Sequence, residues 1–123
     1  MAIVRVDFST SQPSEFASSV SGVINSTMQN TLGVPPKENY IVCHGHPSGA
    51  ILYDPENCSA DRLESIVFIQ ITINQGRSVE LKAQFLNELN RNLVRTGYLK
   101  AENIFINIVE VARENWSFGI GNV

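Results

Sequence analysis

The run from Glu64 to Ser78, ESIVFIQITINQGRS, constrains the fold more than any other part of the chain. From Glu64 to Ile73 it carries Ile66, Val67, Ile69, Ile71, Thr72 and Ile73 with neither Gly nor Pro, the pattern of a strand covered on both faces. This is the expected central strand. It gives way to Asn74-Gln75-Gly76, and a single cation, Arg77, follows just before Ser78 opens a helical pattern.

The flanking segments follow the same logic. Ala2 to Phe8 alternates around Arg5 and Asp7 and reads as a strand with one wetter face. Ser11 is a candidate helix N-cap, with Pro13 tolerated in a first turn; Phe16, Val20, Val23, Ile24, Thr27 and Met28 then form one apolar stripe. That helix ends at Gly33, before Val34-Pro35-Pro36. Asn39 to Cys43 is a short strand, His46-Pro47-Ser48-Gly49 a loop, Ala50 to Tyr53 a brief extended piece, and Asp54 to Arg62 a loop or single helical turn. A second helix spans Ser78 to about Arg95 on Leu81, Phe85, Leu86, Leu89 and Leu93. Asn103 to Val111 is the last strand, and the aromatic, glycine-bearing tail from Trp116 to Gly121 suggests a hairpin or extended arm.

These elements repeat. Displacing the first half by 64 residues puts Ser14 on Ser78, Gly33 on Gly97, Glu38 on Glu102 and Asn39 on Asn103. The chain therefore reads as one α+β domain over residues 1–123 with pseudo-repeats of about 1–60 and 61–123: two fused β-α-β units forming a four-stranded mixed sheet with two helices on one face. If the two leading strands run antiparallel about a pseudo-twofold axis, the start of the first lies beside the end of the central strand, bringing the amino terminus toward Arg77. The second face of the sheet is apolar enough to need covering, and further copies of the chain are the simplest cover.

Composition excludes several function classes. With 43% apolar and 17% charged residues the chain is of ordinary globular make-up, and a net charge of −3 without a basic cluster argues against nucleic acid. No run approaches the ~18 apolar residues of a membrane span, and Arg5 and Asp7 interrupt the first apolar segment, so the expectation is a cytoplasmic protein without membrane association. Cys43 and Cys58 read as free thiols. Cys43-His44-Gly45-His46 has zinc-ligand residue types, but in a strand His44 and His46 share one face while Cys43 points to the other, so no metal site and no cofactor are expected.

At Thr31-Leu32-Gly33-Val34-Pro35, Glu38-Asn39-Tyr40, His46 with Gly49, the Arg77-Ser78 junction and Trp116-Ser117-Phe118-Gly119, the chain resembles the tautomerase superfamily, most of all malonate semialdehyde decarboxylase and its relatives. The resemblance covers almost the whole length. It implies fused β-α-β units, a homotrimer, and a small keto- or enol-carboxylic acid as substrate. It also implies an amino-terminal catalytic proline exposed by loss of the initiator Met. Here that position is Ala2; the family's acidic residue falls on Glu38, its first arginine on Gln75 and its second on Arg77, while Tyr40 matches a pocket tyrosine.

The implied site thus has Ala2, Arg77 and Glu38 as catalytic candidates, with Tyr40, Gln75, Trp116 and Phe118 around the substrate. A freed primary amine in an apolar pocket beside a guanidinium is a serviceable base, and Arg77 suits a carboxylate. Two readings follow: a tautomerase or decarboxylase-type proton transfer from the amino-terminal amine, or a non-enzymatic trimeric binding or interaction protein that has lost the base.

Overall fold

A computed structural model describes residues 1–52, 54, 56 and 60–118, with the backbone alone at 60 and 61. Its strands are β1 (Ala2–Ser9), β2 (Asn39–His46), β3 (Val67–Asn74) and β4 (Ile104–Val111); its α-helices are α1 (Phe16–Thr27), α2 (Ala60–Ser65) and α3 (Val79–Val94). The sheet order is β2-β1-β3-β4. β1 and β2 are parallel, as are β3 and β4, while β1 and β3 meet antiparallel at the centre. Two crossover units joined back to back are therefore observed.

One face of this sheet carries the core. Ala2, Val4 and Val6 of β1 and Val67, Ile69, Ile71 and Ile73 of β3 are buried against Phe16, Val20 and Ile24 of α1 and Phe85, Leu89 and Leu93 of α3. Each such large apolar side chain contributes about 1.5–3 kcal/mol when withdrawn from water. A polar link joins the two helices across this core: Asn92 Nδ2 donates to Thr27 Oγ1, which itself donates to the Val23 carbonyl.

The opposite face is open. Tyr40, Val42, Phe68 and Phe105 are exposed there, with Phe68 and Phe105 stacked at 5.4 Å between ring centroids. β3 is thus buried on alternate residues rather than on both faces of a single chain. Its β-branched run also starts later than expected, because Glu64 and Ser65 close α2 instead of opening the strand.

Turn chemistry accounts for the other departures. Ser11 does not cap α1: Glu15 occupies that position without a side-chain bond, while Ser11 Oγ donates to the Glu64 carbonyl and fastens the end of β1 to α2. After α1 the chain widens into a π-helical turn, Met28–Leu32, and stops at Gly33 in the left-handed conformation, φ 68°. Ser78 caps α3, its hydroxyl accepting from the Leu81 N–H. β2 runs three residues past Cys43 to His46, and residues 50–52 form no strand. Cys58, the end of the piece expected over Ala50 to Tyr53, and the tail beyond Phe118 lie outside the described residues.

The repeat has two offsets. Strand starts are related by 65 residues, Ala2 to Val67 and Asn39 to Ile104, whereas the glycines that end the long helices, Gly33 and Gly97, are related by 64. The π-helical turn in the first half and its absence after α3 fall between those two landmarks. No helix of the described residues is long and apolar enough to cross a membrane.

Candidate functional site

Antiparallel pairing of β1 with β3 sets Ala2 opposite Ile73, so the chain's first residue emerges where β3 ends. A cavity of about 390 Å³ opens there, lined by Met1, Glu38, Asn74, Arg113, Trp116 and Phe118. Glu38 comes from the 3-10 turn Pro36–Glu38 that leads into β2, and its Oε2 lies 3.3 Å from the Met1 nitrogen, forming an ion pair. The parallel register of β2 on β1, Ala2 beside Asn39, places that carboxylate beside the amine.

The far wall comes from beyond β4. A 3-10 turn, Arg113–Asn115, leads to Trp116, which is 8% exposed and stacks on Phe118 with centroids 5.6 Å apart and planes 18° apart. The Trp116 indole N–H donates to Asn74 Oδ1, anchoring this wall to the end of β3. Arg113 is exposed, and among the described residues no ion pair or hydrogen bond engages its guanidinium. An amine and a guanidinium therefore face one space that has an aromatic wall, an arrangement suited to a small organic anion.

Of the residues singled out in the sequence, Glu38, Trp116 and Phe118 line this cavity. Ala2 is adjacent in the chain but fully buried, its side chain in the core. Arg77 is not on the cavity wall. Its Nε and Nη2 donate to the Leu32 carbonyl at 3.3 and 3.2 Å, and its Nη1 donates to the Asn74 carbonyl at 3.2 Å. The guanidinium thus satisfies a carbonyl at the end of the π-helical turn and ties it to the residue that holds Trp116. Gln75 is exposed, its backbone N–H bonded to Val111, and Tyr40 is 62% exposed on the open sheet face. Neither reaches the cavity within one chain.

Arg113 and Asn74 were missed in the sequence reading. In the sequence Asn74 simply ends the β-branched run and Arg113 lies between the last strand and the aromatic tail, so neither carries a local signal for this cavity. The pseudo-equivalent end of the sheet is built differently. Asn103, related to Glu38 by the 65-residue offset, is buried and accepts from Arg62 Nε at 3.0 Å, while Arg62 Nη2 donates to the Glu102 carbonyl at 2.7 Å. A long cation there takes the place that the free amine holds at the other end.

Two β-α-β units around a pseudo-twofold axis, with the amino terminus opening into an end cavity beside a carboxylate, define the tautomerase class of α+β fold. Residues 38–119 match the family model described as "Tautomerase enzyme", and the chain belongs to that family. It is 22% identical to the probable tautomerase YusQ of Bacillus subtilis over 121 residues, 98% of this chain and 95% of that one. The fold resembles FG41 malonate semialdehyde decarboxylase inhibited by 3-bromopropiolate, at TM-score 0.82 and 22% identity over 95% of this chain and 88% of that one. It also resembles a fused 4-OT symmetric trimer, at TM-score 0.80 and 12% identity over 97% and 93%.

Proposed function

We propose that this tautomerase-family protein binds a small keto- or enol-carboxylic acid in the end cavity and moves a proton on it with its amino-terminal amine. The observation that carries this reading is the 3.3 Å pairing of the Met1 nitrogen with Glu38 on a cavity that also presents Arg113. Arg113 grips the substrate carboxylate, and Trp116 and Phe118 cover its apolar part.

In the ketonisation direction the ammonium gives a proton to the enol carbon. As the new C–H bond forms, the enol O–H bond breaks, its proton passing to the Glu38 carboxylate, and a C=O remains. The enzyme is then left with a neutral amine and a protonated Glu38, and proton transfer across their 3.3 Å contact restores the starting state. If Met1 is removed in the cell, the amine of Ala2 takes this role one residue further back. Arg77 acts as a positioning residue through Asn74.

The same reading places the chain in a homotrimer. Tyr40, Val42, Phe68 and Phe105 supply an apolar face on one side of the sheet, and the fused 4-OT relative is described as a trimer. Gln75 and Tyr40 then contribute to binding only from surfaces shared between copies.

Ketonisation of phenylenolpyruvate tests the proposal. The protein as made should turn it over, and Glu38→Gln should slow it by about 100-fold or more with the fold intact by circular dichroism. Turnover that first arises in an Ala2→Pro variant with Met1 removed, and is absent before it, would instead identify a binding protein without the base.

A further inference from the structure

A second cluster of chemically able side chains lies on the open face of the sheet, away from the amino terminus. Asp7 near the end of β1 is paired in register with His44 of β2, and His46 follows two residues along on the same face. His46 Nε2 is 2.7 Å from Asp7 Oδ1, and the rings of His44 and His46 lie side by side with centroids 4.3 Å apart. One ligand atom from each of the three residues lies within 4.8 Å of the other two. Cys43 is on the other face, where its thiol contacts Ser21 Oγ, and is no part of the group.

We propose that Asp7, His44 and His46 form a three-ligand site for a divalent transition-metal ion of the zinc class. Two imidazoles and a carboxylate are a donor set that such ions favour over calcium or magnesium. Ligand atoms at about 2.0–2.2 Å from a tetrahedral ion stand roughly 3.3 Å from one another. The Asp7–His46 pair must therefore open by about 0.6 Å and His44 swing in by at most about 1.5 Å, displacements within reach of side-chain rotation. The backbone need not move, because all three residues stand on paired strands.

A bound cation would engage the carboxylate and both imidazoles at once. Arg5, two residues before Asp7 on the same face of β1, is the nearby positive group that opposes it, and the site is expected to be of moderate affinity for that reason. His46 also borders a cavity of about 290 Å³, which it shares with Ser9, Ser48 and Glu64 but not with Asp7 or His44.

Equilibrium dialysis of the purified, assembled protein against Zn²⁺, with Mg²⁺ as comparison, tests this. One Zn²⁺ per chain, little Mg²⁺, and at least about tenfold weaker binding in each of Asp7→Asn, His44→Ala and His46→Ala are expected. Circular dichroism and sedimentation of each variant show whether fold and assembly persist, and His44→Gln and His46→Gln replace any variant that fails to fold. Zn²⁺ bound at far below one per chain, or with the same affinity in Asp7→Asn as in the parent, would overturn the proposal. The amino-terminal cavity plays no part in this experiment, so its result is independent of turnover.

Discussion

The Trp116 indole N–H donates to Asn74 Oδ1, so the segment beyond the last strand is latched to the end of the central one. Through that bond an aromatic wall closes on the amino terminus, and Arg77 holds the same Asn74 from its carbonyl side.

Trp116 is the chain's one tryptophan, so its emission reports the latch directly. Asn74→Ala should move the emission to longer wavelength and weaken quenching by a small carboxylate such as pyruvate, because the ring loses its anchor. An unchanged spectrum would mean that packing on Phe118 suffices to hold the wall.

Arg77→Ala removes three hydrogen bonds to the Leu32 and Asn74 carbonyls. A stability loss of about 1–3 kcal/mol in urea unfolding is expected, since part-buried acceptors lose their donors. As a positioning residue it should also raise KM for phenylenolpyruvate less than Arg113→Ala does. The reverse order would return the carboxylate grip to Arg77.

Arg113→Ala should weaken carboxylate binding by about 10- to 100-fold, the worth of a charge-assisted contact, and leave thermal stability within about 0.5 kcal/mol because the side chain is exposed. Calorimetric titration with pyruvate and a thermal melt check both halves.

Phe68→Asp puts a charge on the open face opposite Asp7 of β1. It should convert the proposed trimer to monomers in sedimentation velocity, while an assembly unmoved by the substitution would place the contacts elsewhere.

Much of the fold was legible because strand and helix periods are local properties. Ile66 to Ile73, the Phe85–Leu89–Leu93 stripe and the helix stop at Gly33 each carry their signal within a few residues. The extent of burial was not local. The β-branched run of β3 says that both faces are apolar, yet within one chain only Val67, Ile69, Ile71 and Ile73 find cover. Ser11 has the right chemistry for a cap, but the Glu64 carbonyl that it binds is 53 residues away.

The site was legible in part for a related reason. Glu38, Trp116 and Phe118 came from the family resemblance, and they line the cavity. Arg77 resembled a substrate ligand by position, but the π-helical turn puts the Leu32 carbonyl within its reach. Arg113 depends on a 3-10 turn with no strong local signal. Asp7 joins His44 and His46 through cross-strand register, which alternation within a single strand does not reveal.

Selective acetylation of the α-amine tests the central claim most directly, because it removes the proposed proton carrier and leaves every side chain in place. With phenylenolpyruvate as substrate, the account predicts that the blocked protein loses ketonisation by at least about 100-fold and still binds pyruvate at Arg113. Ketonisation at the parent rate by the blocked protein would contradict it.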